Sequence, residues 1–154
     1  MNNGFGKHNH NKCVRASIDA LEKYCESKGL KITVIRKRVL EILLEGHKAI
    51  GAYEILDKLR YDGAPAQPPI AYRALKFLVS NGFAHKIERL NAYIACGVPG
   101  QEHRPAFLIC KTCKDVSEAK MGSADLELQL KATTENFIIE NSIIEAIGLC
   151  PSCS

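Results

Sequence analysis

The chain has 154 residues, 46% of them apolar and 25% charged, with a net charge of +4 and seven cysteines. Those figures describe a folded globular chain of one or two small domains. No run of eighteen apolar residues is present, which excludes a membrane-spanning helix.

The opening stretch, MNNGFGKHNHNKC, lacks the apolar segment of a secretory signal, so the expected compartment is the cytoplasm. There, seven cysteines point to metal binding or redox chemistry rather than a disulfide framework. Residues 1–11, rich in Asn, His, Gly and Lys, are expected to form a disordered tail.

Val14, Ile18, Leu21 and Tyr24 or Cys25 recur at three- and four-residue steps and predict a first helix, with Gly29 placed to end it. Thr33 is an N-cap candidate for a second helix, whose buried stripe would be Val34, Val39, Ile42 and Leu43, with Gly46 closing it. A third helix is expected over 52–61, with Ile55, Leu56 and Leu59 inward. The turn-rich run YDGAPAQPP follows. A fourth helix should start near Pro69 and end at Asn81-Gly82. Its buried face would be Ala74, Leu75, Leu78 and Val79. Residues 83–88 and 92–96 then read as a hairpin around Arg89-Leu90-Asn91.

Short helices followed by a small hairpin form the winged helix-turn-helix pattern, in which one helix enters the DNA major groove. The outer face of the fourth helix offers Tyr72, Arg73 and Lys76. Arg can pair bidentately with guanine, whereas Tyr and Lys more often hold phosphates. The same residues would also suit a plain solvated face. Charge is divided in the corresponding way: residues 1–89 hold 16 Lys+Arg against 9 Asp+Glu, and residues 90–154 hold 5 against 8. A basic half suits a polyanionic partner.

Gly97-Val98-Pro99-Gly100 reads as a hinge. Beyond it, strands are expected at 106–109, 116–119, 136–140 and 143–147, with a helix over 123–134 whose Leu126, Leu130 and Leu128 would face the sheet. The fold class is therefore α+β: a winged helix-turn-helix domain over 12–96, a hinge at 97–102 and a small β/α domain over 103–154. The last has a core that is marginal without a metal or a partner subunit.

Cys110, Cys113, Cys150 and Cys153 form C-x2-C…C-x2-C, the spacing of a four-thiolate zinc site, each pair just after a predicted strand. A redox pair or an iron–sulfur cluster is the alternative, but no thioredoxin-like βαβ context surrounds either pair. His85, Cys96, His103 and Glu118 form a second set of donors that straddles the hinge. They suit tetrahedral zinc, although each also has an ordinary structural explanation. His8, His10, Cys13, Cys25 and His47 are further donors without a grouping.

The stretches GLKITVIRKRVLEIL, GAYEILDKLR, PPIAYRALKFLVSNGFAHKIERLNAYIAC, HRPAFLICKTC and GLCPSC resemble, in unbroken order over residues 13–153, the ferric uptake regulator superfamily, and within it the zinc-sensing branch. The iron branch usually carries an HHDH-type cluster before the first C-x-x-C, and this chain has GQEHRPAF there. The resemblance implies a homodimer, paired through the β/α domains. It implies two zinc ions per subunit, a structural one at Cys110, Cys113, Cys150 and Cys153 and a regulatory one at His85, Cys96, His103 and Glu118. It adds Tyr53 to Tyr72 and Arg73 as DNA contacts. It also implies a zinc-dependent repressor that binds a palindromic operator before zinc-uptake genes. The family's usual Thr-Val is here Ile70-Ala71. If Thr capped the helix, its loss would cost ~1 kcal/mol. The rival expectations are another metal or peroxide sensor of the superfamily, or a zinc-storage protein that does not read DNA. Catalysis is not expected, because two four-ligand zinc sites leave no open coordination position.

Overall fold

The computed structural model describes residues 5, 10–46, 48–101 and 103–154. His8, His47 and most of the expected tail lie outside these. The first helix, α1, spans His10–Lys28, so the last two residues of that stretch are helical. It buries Leu21 and Cys25 against the core. It ends at Gly29, where Leu30 N–H donates to the Cys25 carbonyl (2.8 Å) and Gly29 N–H to that of Glu26 (3.3 Å). This closing turn satisfies carbonyls that a helix otherwise leaves open.

Helix α2 is Val34–Leu44, and the Thr33 side chain accepts from Arg36 N–H at 3.2 Å, capping it as expected. Val34 is at the first helical position and 82% exposed, so it does not belong to the buried stripe. Val39, Leu40, Ile42 and Leu43 fill that role. Helix α3 is Ala52–Tyr61 and buries Ile55, Leu56 and Leu59. Helix α4 is Pro68–Ser80 and buries Ala71, Ala74, Leu75 and Leu78 at helical spacing, while Val79 faces outward.

The α4 start falls within one residue of the expected Pro69 and removes capping as a role for the family's usual Thr. Its N-cap is Gln67, and the two prolines occupy the first turn, where a missing N–H costs nothing. Ile70 is already inside the helix, so a Thr there could not be the N-cap. These helices share one apolar core with the start of the wing, Phe83 and Ala84.

The wing pairs β1 (Ala84–Ile87) with β2 (Ala92–Ala95), antiparallel, around a short 3-10 turn at 88–90. Ile50 adds a bridge to Tyr93 at its edge. After the Gly97–Gly100 segment, β3 (Pro105–Cys110) lies between β4 (Val116–Lys120), antiparallel, and β5 (Ile144–Gly148), parallel. Helix α5 (Ser123–Thr134) connects β4 to β5.

Two expectations for this second unit fail. No strand forms at 136–140. Asn136 has φ 55° and closes α5, with Phe137 N–H donating to the Ala132 carbonyl at 2.8 Å. Asn tolerates that left-handed conformation, which is incompatible with a strand. Leu126, Leu128 and Leu130 do not pack on the sheet either. They are 60, 41 and 59% exposed, and α5 buries only Ala132. With Phe137, Ile138, Ile144 and Ile147 they leave a large apolar surface uncovered within the chain.

The wing and the second sheet share a core. Ile87 and Ile94 of the wing pack with Phe107, Ile109 and Val116. A further bridge joins Lys48 to Asp115. Among the described residues no helix is long and apolar enough to cross a membrane.

Candidate metal centres and nucleic-acid face

Strands β3 and β5 run parallel with Cys110 opposite Gly148, so both deliver their C-terminal ends to the same edge of the sheet. Each strand then enters a tight turn carrying its cysteine pair. Lys114, at φ 65°, turns the first back so that Cys110 N–H donates to the Asp115 carbonyl at 2.9 Å. In the second, Cys153 N–H donates to the Cys150 carbonyl at 2.9 Å.

The four sulfurs all lie within 4.8 Å of one another and none is in a disulfide. Cys113 Sγ and Cys150 Sγ are 3.7 Å apart. A tetrahedron with Zn–S bonds of ~2.3 Å has edges of about 3.8 Å, so the spacing fits zinc. The N–H of Cys113 and then that of Cys150 lower the Cys110 thiol to about 6. This favours the thiolate that a metal requires. Cys153 is pushed the other way, up to about 12, by its hydrogen bond with Cys150 and by burial. Four thiols so close do not ionise together without a cation among them.

The second cluster is assembled from both sides of the hinge. His85 lies on β1 and Cys96 just after β2; His103 precedes β3 and Glu118 lies on β4. Their donor atoms also fall within 4.8 Å of one another. His103 Nε2 is 2.6 Å from Glu118 Oε1 and 3.6 Å from Cys96 Sγ. His85 Nε2 is 3.3 Å from the same Glu118 oxygen, but it is buried and finds no hydrogen-bond partner.

His103 Nδ1 faces the Gln101 carbonyl at 2.8 Å, an acceptor only, so Nδ1 carries the proton. Nε2 then faces the Glu118 carboxylate, on the side where a metal would sit. Two imidazole nitrogens, one of them His85 Nε2 without a hydrogen-bond partner, a thiol and a carboxylate converging on one point make a good donor set for zinc.

Glu118 also accepts from Gly97 N–H at 2.8 Å. Burial pushes its carboxyl up, but the His85 ring, the Gly97 N–H and His103 outweigh that and bring it down to about 2. Burial, and next the Glu118 charge, push the Cys96 thiol up to about 12. A cleft of about 950 Å³, lined by His85 and His103 together with Asn81, Lys86 and Arg104, gives this cluster an opening to solvent. Among the described residues these are the two clusters of three or more such donors. Cys13 and Cys25 join neither, and Cys25 is a buried core residue of α1.

On the helical face, Tyr72, Arg73 and Lys76 are all exposed along α4, and Tyr53, on α3, is 65% exposed. The α4 residues are held outward because Ala71, Ala74, Leu75 and Leu78 occupy the buried side.

Sequence reasoning missed one polar contact between the two units. Glu145 of β5 accepts from the backbone N–H groups of Glu88 (2.7 Å) and Arg89 (3.2 Å) at the wing tip. The available signal was a lone carboxylate inside the apolar run Ile-Ile-Glu-Ala-Ile-Gly-Leu.

No family model matches the chain. The zinc uptake regulation protein of Escherichia coli K12 is 37% identical over 133 residues, which cover 86% of this chain and 78% of that protein. A zinc uptake regulator solved with zinc and DNA is 34% identical and superposes with a TM-score of 0.86, over 90% of this chain and 93% of its own. Holo XcZur, 36% identical, gives 0.82 over 89% of this chain and 96% of its own. Apo XcZur is 38% identical and covered as fully, 91% and 97%, yet gives 0.53.

Proposed function

Since the chain belongs to the ferric uptake regulator family, in its zinc uptake regulator branch, we propose that it is a zinc-responsive transcriptional repressor. It acts as a homodimer on operator DNA that governs zinc-uptake genes. Residues 12–96 form its DNA-binding domain, 97–102 its hinge and 103–154 its dimerisation domain.

The observation that carries this reading is the convergence of His85, Cys96, His103 and Glu118 from both sides of the hinge, with His85 Nε2 left unpartnered. A zinc ion held by these four side chains would supply the positive charge that ties two donors of the wing to two of the second domain. The rest follows from the chain itself. Gly97 N–H and the Gln101 carbonyl orient Glu118 and His103 before any cation arrives. The shared Ile87, Ile94, Phe107, Ile109 and Val116 packing seats the wing against the second sheet in the closed arrangement. In a two-fold dimer, the wing angle sets the distance between the two copies of α4, and half-site spacing on DNA accepts only a narrow range. The better superposition on the holo than on the apo XcZur arrangement supports the reading that this is the closed, binding-competent state.

Cys110, Cys113, Cys150 and Cys153 would hold the second zinc of the subunit and so tie the ends of β3 and β5. Arg73 reads base edges, while Tyr53, Tyr72 and Lys76 hold the backbone. The Cys96 thiol disfavours an all-nitrogen-and-oxygen iron site, and hence a peroxide sensor.

The test is binding to an operator-containing duplex across a zinc titration. Wild type should bind only once labile zinc is present, and Cys96→Ser should not respond. Equal zinc-dependent binding by both proteins would sink the reading.

A further inference from the structure

The wing meets the second domain at both of its ends, and only one end is the metal cluster. His85 and Cys96 join His103 and Glu118 near the hinge. At the opposite end, Glu145 reaches from β5 and holds the turn that carries Glu88 and Arg89. Glu145 stands opposite Phe107 in the parallel register, which puts it on the sheet face that packs against the wing. Both carboxylate oxygens are used, each by a different backbone N–H, and hydrogen bonds to an ionised group are the stronger kind. The side chain is half-buried there. It is also none of the four hinge donors, so it shapes the closed state without touching the metal position.

We infer that Glu145 is a second, metal-independent clasp: a positioning residue that holds the wing in the closed arrangement and thereby sets how much zinc DNA binding requires. The inference rests on the hinge cluster being the sensing site. A contact that exists only in the closed state raises the apparent affinity of everything that binds that state. Removing it should make zinc work harder, and saturating zinc should still achieve closure.

The experiment uses the full-length protein with Glu145→Ala and with the milder Glu145→Gln, which keeps the size and one acceptor oxygen. One readout is competition for the labile zinc with a chromophoric chelator. The other is the zinc midpoint for binding a fluorescent operator duplex. For Glu145→Ala, both midpoints should move to higher zinc by about ten-fold, within the ordinary range of coupling between sites. Duplex affinity at saturating zinc should match wild type, and the zinc of the four-cysteine cluster should stay. Glu145→Gln should fall between. Unchanged midpoints in both variants would overturn the clasp. So would a loss of duplex affinity that saturating zinc does not restore, since that marks a merely structural role. If wild type bound the duplex without zinc, the repressor reading would fail, while the chelator competition would still decide the clasp.

Discussion

His103 Nε2 lies 2.6 Å from Glu118 Oε1 while the other ring nitrogen of His103 is committed to the Gln101 carbonyl. The two residues flank β3 in sequence, His103 in the loop before it and Glu118 on β4, where the antiparallel register returns it beside Phe107 near the start of β3. The shared point between them is also where His85 and Cys96 arrive from the wing. With one donor removed, a metal at that point would tie the wing to the second domain less tightly.

Cys96→Ser should therefore lower affinity for the labile zinc by about two orders of magnitude or more, since even outer partners of metal ligands cost ~10–100-fold. The four-cysteine cluster should keep its metal. Zinc competition with a chelator, followed by native mass spectrometry, checks both outcomes.

Zinc affinity at the hinge should rise with pH. Without metal, the Cys96 thiol sits at about 12, so it is protonated at neutral pH and must release a proton on binding. Glu118, at about 2, is already ionised and releases none. The binding constant should climb at least about ten-fold per pH unit through neutrality, measured by chelator competition at fixed ionic strength. A flat profile would mean that the thiol is not a ligand.

Arg73→Ala should cost ~1–3 kcal/mol of operator affinity and relax sequence preference. Lys76→Ala should weaken binding to all duplexes alike and reduce the salt slope by about one. Zinc binding should be untouched in both. Fluorescence anisotropy over a salt series separates them.

Leu130→Asp should yield a monomer that still carries the four-cysteine metal. The leucines of α5 are exposed, as are Ile144 and Ile147 of β5, and a single chain offers them no cover. A second copy of the chain is the cover that the homodimer provides. Analytical ultracentrifugation of wild type and variant tests this.

The same leucines show where sequence reading stopped. The helices of the first domain were legible because their apolar residues return at helical spacing to a core within the chain, and Thr33 caps α2 by a purely local bond. The cysteine pairs were legible because spacing and flanking strands determine their geometry locally. Helix α5 also carries apolar residues, but their partner is not in the chain, so the expected inward face was wrong. The strand expected at 136–140 failed because apolar content outvoted Asn136, which terminates the helix in a left-handed turn. The hinge donors sit on four separate segments. No local pattern joins them: their donor types and position about the hinge made them a candidate set with ordinary alternatives, and the family resemblance implied the site before the fold brought their atoms together. Glu145 was visible as an oddity, but its wing-tip partners are backbone groups, which leave no mark in a sequence.

The proposed repressor separates a permanent metal from a sensing one. Its most direct test is zinc content per subunit before and after mild chelation, paired with duplex binding of the same samples. The prediction is two zincs falling to one, with duplex binding lost and then restored by adding zinc back. Two zincs that both resist the chelator, with duplex binding unaffected, would contradict it and reduce the hinge cluster to a second structural staple.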